Sequence, residues 1–343
     1  MKRTTRVLCI AVAGLAGCKF PYPPDLGADG QVDSRPGDGA TPEVPTIAFT
    51  SNRAGNDELY VACIDGSMPV NLTNNPASDV HPLWSPTGDR IAFLSDRGGV
   101  QELYGMRADG AGLMNVSRGQ AAEPVWSPDG LRMAFASTRT GNAELYRVRL
   151  DGSAPERMSF DASGSSYLQV DWSPAGTTLI YTTGTTLALI NADGSGRRPI
   201  GNGLFISARW NRHGDRLAIL QRPMLFYEVY LASGDGSNSV NLTNTSQQHE
   251  RDPQWSPDGS RLAVVGGTAA NSEIEILGVT TGARVNRSMT PADDVHPRWS
   301  PDGTLLLFGS QGDIFSVSAA GGGITNITND PGTDSDAEWK PLP

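Results

Sequence analysis

Trp126-Ser127-Pro128-Asp129-Gly130 decides the fold, because it returns at a near-constant interval along the chain. The other copies read Trp84-Ser85-Pro86-Thr87-Gly88, Trp172-Ser173-Pro174-Ala175-Gly176, Trp210-Asn211-Arg212-His213-Gly214, Trp255-Ser256-Pro257-Asp258-Gly259 and Trp299-Ser300-Pro301-Asp302-Gly303. A shortened copy, Trp339-Lys340-Pro341, stands near the C-terminus. All seven tryptophans occupy this one slot, at spacings of 42, 46, 38, 45, 44 and 40 residues. Self-similarity at this period is the mark of a repeat architecture, with one four-stranded sheet per repeat.

Each copy opens the same succession of patterns. The Pro-Asp-Gly corner leads into a short apolar run, such as Ile91-Ala92-Phe93-Leu94, Met133-Ala134-Phe135-Ala136 or Leu217-Ala218-Ile219-Leu220. In the better-kept copies a polar Gly/Asn turn follows, as in Ser137 to Asn142, and then a run such as Glu144-Leu145-Tyr146-Arg147-Val148. Asp-Gly-Ser precedes a last run ending like Asn71-Leu72-Thr73 or Asn241-Leu242-Thr243. Short runs rich in branched and aromatic residues, bounded by Gly, Pro, Asn or Asp, read as strands joined by tight hairpins. We label the four strands a to d, with a ending at the tryptophan.

The expectation is an all-β, seven-bladed β-propeller of four-stranded blades, with six blades as the alternative. Ile47-Ala48-Phe49-Thr50 begins directly at strand b, and Trp339 ends a lone strand a. The ring is therefore predicted to close by the C-terminal strand pairing in the N-terminal blade, which removes open sheet edges. In this architecture the tryptophan packs between neighbouring blades and the Pro-Asp-Gly corner supplies the turn dihedrals.

Composition narrows the partners. The formal net charge is −10 and no repeat carries a basic cluster, which excludes non-specific nucleic-acid binding. Lys2, Arg3 and Arg6 precede the apolar run Val7 to Ala16, too short to span a bilayer and laid out as a secretory signal. From Lys19 to Pro45 the chain is rich in Pro, Gly and Asp, the composition of a flexible tether reaching on the order of 30 Å. Three segments are thus expected: a signal over 1–18, a tether over 19–45 and the propeller over 46–343. Cys63 alone remains for the folded domain, in a strand c pattern, where it reads as a small core residue.

Two resemblances add to this reading. Leu15-Ala16-Gly17-Cys18 resembles the bacterial lipoprotein signal motif, with an ordinary signal and a chance cysteine as the alternative. It implies that Cys18 is lipidated, that the lipid is the only membrane attachment, and that the chain belongs to the bacterial cell envelope. Lys19, where retention at the inner membrane calls for Asp, points to the outer membrane. The repeat Pro-x-Trp-Ser-Pro-Asp-Gly, Ile-Ala-Phe-x-Ser, Leu-Tyr, Asp-Gly-Ser, Leu-Thr resembles the TolB-like, WD40-like (PD40) propeller repeat over nearly all of 46–343. TolB proper carries an α/β domain ahead of six blades, and the residues before 46 are too few for it. The resemblance therefore extends to the repeat and not to that protein's own role. Related propellers accompany peptidase domains, but no Gly-x-Ser-x-Gly elbow supports serine hydrolysis here.

Strand direction alternates, so the d-to-a connections and the b–c hairpins share one face of the ring. Strand a lies nearest the axis, and the third residue before each tryptophan falls at the channel mouth. In blade order this ring is Asp336, His81, Glu123, Gln169, Ser207, Asp252 and His296. His81 and His296 flank Asp336 in adjacent blades, a donor set suited to a divalent metal. Oligogalacturonate lyases, also seven-bladed, hold a channel metal largely by histidines, and a metal here would acidify a proton beside a uronate carboxyl. The alternative is that a polar residue in this slot satisfies backbone groups of the d-to-a turn. Arg53, Arg97 and Arg139 share that face, either paired with Glu58, Glu102 and Glu144 or forming a basic rim on blades 1 to 3. The preferred reading is a non-enzymatic, lipid-anchored scaffold that binds an envelope protein or a surface polymer and needs no cofactor. The alternative is a metal-dependent polysaccharide (uronate) lyase or hydrolase.

Overall fold

Seven antiparallel sheets of four strands surround a central channel in the computed structural model, which describes residues 47–151, 153–160, 169–245, 248–268 and 271–342. No described residue is helical. The signal over 1–18, with Cys18, and the tether over 19–45 lie outside the described residues. Seven blades, and not six, are present. Blade 2 shows the plan: strand a is Asp79–Trp84, b is Arg90–Ser95, c is Glu102–Arg107 and d is Met114–Gln120. The strands pair in that order, and in most blades strand a meets strands a and b of the preceding blade, which puts strands a around the axis.

Closure is as the sequence implies. Strand a of blade 1 is Asp334–Trp339, and it pairs antiparallel with strand b, Ile47–Ser51, in the register Ile47↔Trp339, Ala48↔Glu338 and Ser51↔Asp334. Strands c (Glu58–Ala62) and d (Val70–Asn71) complete that sheet.

The signature residues each have a local task. Glycine closes every full copy of the turn with φ between 67° and 75°, a region costly for other residues. The serine hydroxyl accepts the Arg132 amide and donates to its carbonyl, at 3.0 and 2.9 Å in blade 3. In the degenerate copy Asn211 substitutes, with Oδ1 accepting the Arg216 amide.

The apolar residues of strands b and c form seven clusters, one at each seam between blades. Trp84, for example, packs with Leu59 and Val61 of blade 1 and Ile91 and Phe93 of its own blade. Four indoles also bond across the seam: Trp126 to the Leu83 carbonyl, Trp255 to Arg209, Trp299 to Gln254 and Trp339 to Arg298, all at 3.0–3.1 Å. The core is thus a ring of interfaces, and each blade depends on two neighbours.

Strand d is held by a second recurring device. The amide of a residue in the first half of strand c bonds a Ser or Thr hydroxyl fourteen residues on: Leu59 to Thr73, Leu103 to Ser117, Leu145 to Ser159, Val229 to Thr243, Ile274 to Ser288 and Ile314 to Thr328. In most of these blades that hydroxyl in turn donates to the carboxylate opening strand c, as from Ser159 to Glu144 at 2.5 Å. This explains why Glu-Leu-Tyr and Leu-Thr recur together. Cys63 is buried at the end of strand c of blade 1, in keeping with a core role.

Candidate functional site

Strand a carries a β-bulge in blades 1, 2, 3, 6 and 7, seen as a register shift against strand b, and blade 5 shifts register as well, between Phe205 and Ser207. The ring residue sits at that bulge with a left-handed backbone: φ is 53° at Asp336, 56° at His81, 50° at Glu123, 45° at Asp252 and 53° at His296. Each such conformation costs on the order of 1–3 kcal/mol for a residue with a Cβ. Bulges re-aim side chains, and here they turn five ionisable groups toward the mouth of the channel. Gln169 and Ser207, in blades 4 and 5, do not adopt positive φ.

The residues meet as follows. His81 Nε2 lies 3.6 Å and His296 Nδ1 lies 3.8 Å from the same oxygen of Asp336, so one carboxylate stands between two half-exposed imidazoles. On the other side Gln169 donates to Glu123 at 2.6 Å. Ser207 is buried and adds nothing to the mouth.

A second tier lies just below, at the residue directly before each tryptophan. The half-buried set is Glu338, Leu83, Val125, Asp171, Arg209, Gln254 and Arg298 in blade order. Arg298 bridges the tiers, contacting Asp252 at 3.1 Å and Glu338 at 3.4 Å. Burial pushes Asp171 up to about 6 against the pull of Arg209. Burial likewise raises Glu338, against Arg298 and Arg209, and Glu123, against Arg209 and His81. Asp252 goes the other way, because Arg298 and Arg209, with His296, outweigh its burial and hold the carboxyl low. The channel is therefore a mixed-charge funnel with two arginines at its waist. Sequence reasoning missed this tier, although charged residues in a slot that is Leu83 or Val125 elsewhere were the signal.

The arginines of the b–c hairpins have partners other than those expected. Arg53 forks onto Asp334, with both contacts at 3.1 Å, and also lies 3.8 Å from Asp330. Arg97 forks onto Asp79 with both contacts at 2.8 Å. Arg139, whose blade has Ala121 in the aspartate slot, turns to the carbonyls of Gly119 and Gln120. Glu58 and Glu144 are taken up by Thr73 and Ser159, and Glu102 by Asn115 and Tyr104. Two of the three charges are thus neutralised by buried carboxylates, and the arginines act as braces between strand a and the hairpin.

The fit to a metal is poor. Among the described residues no three His, Cys, Asp or Glu side chains converge in a metal-holding arrangement, His81, His296 and Asp336 included.

Comparison with known proteins places the chain among propellers. A family model described as the TolB beta propeller domain matches residues 38–121 and 216–342. The Tol-Pal system protein TolB of Bordetella pertussis is 28% identical over 131 residues, covering 37% of this chain and 30% of that protein. The chain spans less than a third of the length of the curated relatives it matches. Among solved structures, TolB from Acinetobacter baumannii superposes with a TM-score of 0.55 at 18% identity, over 87% of this chain and 67% of that one. An oligogalacturonate lyase from Vibrio parahaemolyticus reaches 0.61 at 14% identity, over 82% and 84%.

Proposed function

The chain belongs to the TolB beta propeller domain family, and from that premise we propose that it is a protein-binding scaffold of the bacterial envelope. The partner docks on the channel-mouth face, against His81, Glu123, Asp252, His296 and Asp336. The observation that carries this reading is the run of left-handed bulges over five contiguous blades, 6, 7, 1, 2 and 3. Backbone strain is retained where it presents chemistry, and both imidazoles stand half exposed beside Asp336. The relatives named for the Tol-Pal system supply the envelope context. Lipidation at Cys18 holds the chain to the outer membrane, and the segment 19–45 sets the propeller off its surface. Arg53 and Arg97 shape this face as braces, and Arg139 and Arg222 are its other hairpin cations among the described residues.

The test is site-specific photo-crosslinking in cells with the full chain. A crosslinker at position 81 or 296 is expected to capture a discrete protein adduct, while one at Asp235, in an exposed c–d turn on the opposite face, captures none. No adduct at the mouth, or the same adducts from both faces, refutes the proposal. An adduct resistant to protease identifies a surface polymer as the occupant instead.

A further inference from the structure

Between blades 7 and 1 a recess of about 270 Å³ opens on the mouth face. Val295 and His296 stand on one side of it, Ser335 and Asp336 on the other, and the buried Ile314 and Ala337 close its base. Two departures of blade 7 from the repeat create it.

The first is the b–c connection, only Gln311-Gly312 against six residues in blades 1 and 2. In blade 1 the longer hairpin roofs the seam to blade 2. Asn56 Nδ2 donates to the carbonyls of Asn75 and Ala77 at 2.9 and 2.6 Å, and the Asp57 carbonyl accepts the Asp79 amide at 2.8 Å. Of these bonds blade 7 keeps the last, from the Asp334 amide to the Gly312 carbonyl at 2.6 Å.

The second departure is Gly309. Its slot in strand b holds Thr50, Leu94, Ala136, Thr182, Leu220 and Val265 in blades 1 to 6. Those side chains reach the following blade: Thr50 Oγ1 accepts the His81 amide at 3.2 Å, and Leu94 and Leu220 are buried in the seams with blades 3 and 6. Glycine contributes nothing to that space. A Cβ at Gly309 would touch only Val295, with Cγ2 at 3.4 Å, and the backbone there is not left-handed, so neither crowding nor φ calls for glycine. The effect shows at Val295, which pairs in register with Gly309 and is 38% exposed, whereas its counterpart Val80 packs into the seam of blades 2 and 3.

The charges lining the recess are acidic. Asp293, Asp334 and Asp336 contribute to it and no lysine or arginine does, although Arg53 neutralises Asp334 from outside. Asp336 Oδ2 accepts the Ser335 hydroxyl at 3.0 Å, while Oδ1 lies beyond hydrogen-bond range of both imidazoles, at 3.6 and 3.8 Å. Arg298 is engaged by Asp252 and Glu338 and acts on Asp336 through space. A carboxylate offers about four acceptor sites, so Asp336 keeps capacity for a further donor.

We propose that this recess receives one lysine side chain of the docked protein, its alkyl stem against Val295 and Gly309 and its ammonium on Asp336. An apolar wall ending at a carboxylate suits a side chain that buries its stem and carries its charge at the tip. A guanidinium fork needs both carboxylate oxygens side by side, and Ser335 already holds one; a compact ammonium needs only the other. The inference rests on the reading of the mouth face as the docking surface, and it names the residue type that the partner brings there.

The test uses the full chain and N-acetyl-L-lysine amide, followed by backbone amide chemical shifts. Saturable shifts are expected at Gly309, Gly312 and Ala337. Binding should be at least about tenfold weaker for the norleucine analogue, which keeps the stem without the charge, for the arginine analogue, and in Asp336→Asn. Asparagine tolerates the left-handed backbone at that position, so this variant removes the charge alone. Gly309→Leu supplies the side chain that blades 2 and 5 carry, fills the recess while leaving Asp336 in place, and must block the probe. No saturable binding, equal binding of norleucine or arginine, or undiminished binding by either variant overturns the proposal. Should one variant fail to fold, the other decides. The probe requires no partner, so lysine binding without crosslinked adducts would sink the scaffold reading alone, and adducts without lysine binding would sink the recess alone.

Discussion

Trp299→Phe and Trp339→Phe should cost the fold more than Trp84→Phe and Trp172→Phe, although all four tryptophans hold the same slot. Their burial is matched, at 8%, 9%, 5% and 4% exposure. The loss of packing on going from indole to phenyl is therefore similar in each. What differs is the indole N–H. Trp299 and Trp339 donate to the carbonyls of Gln254 and Arg298, both at 3.0 Å, while the indoles of Trp84 and Trp172 meet no acceptor among the described residues. In the first pair, phenylalanine deletes a seam bond and leaves a carbonyl unpaired, a cost of about 1–3 kcal/mol. In the second it removes an unsatisfied buried donor and relieves a penalty of similar size. The two pairs should differ by at least about 2 kcal/mol, roughly thirtyfold in the unfolding equilibrium. Cations stack on Trp84, Trp172 and Trp299, so that contribution does not sort the pairs. Urea unfolding followed by far-UV circular dichroism is the assay, since fluorescence would report the substituted residue itself. Four equal losses, or larger losses in the second pair, would show that the seam bonds do not hold the blades together.

Two further outcomes follow from the charged groups. Arg97→Ala strands the buried Asp79 carboxylate and should cost about 3–5 kcal/mol, whereas Arg139→Ala leaves only carbonyls and should cost about 1–2 kcal/mol; equal losses on denaturation would refute the brace assignment. Asp171, lifted from 3.8 to about 6, holds its proton more tightly in the folded state than in the unfolded chain. Its contribution to stability therefore falls as pH rises from about 4 to about 6. Asp171→Asn should match wild type near pH 3 and exceed it at pH 7 by up to about 3 kcal/mol, from about two units at 1.36 kcal/mol each. Melting curves at the two pH values check this, and a difference that does not change with pH would refute it.

The fold was legible because each element of the signature has a local cause that recurs from blade to blade. Glycine after Pro-Asp answers a turn that needs φ near 70°, and tryptophan answers a seam that needs a large flat side chain. Strand direction and the position before Pro-x-Trp then located the ring, and His81, Asp336 and His296 do come together. The arginine partners were not legible, for a geometric reason. Glu58 and Glu144 are close in sequence to Arg53 and Arg139, but Thr73 and Ser159, fifteen residues beyond each glutamate, claim them first. Asp334 reaches Arg53 from 281 residues away through ring closure, a contact that only the assembled propeller creates.

The bulges were also hidden, and they bear most on function. Nothing in His-Pro or Glu-Pro announces a left-handed residue, and glycine would have announced it by meeting the same backbone without penalty. None of the five positive-φ ring positions is glycine. A purely structural bulge has no need of Asp, His, Glu, Asp and His at the five sites. Turn satisfaction cannot be their common purpose, because the side chains of His81, His296 and Asp336 face one another, and Asp252 and Glu123 face Arg298 and Gln169. What the five share is a backbone turned so that an ionisable group reaches the channel mouth. On the proposed reading, the strain accepted there is the cost of holding those groups where a docking protein would meet them.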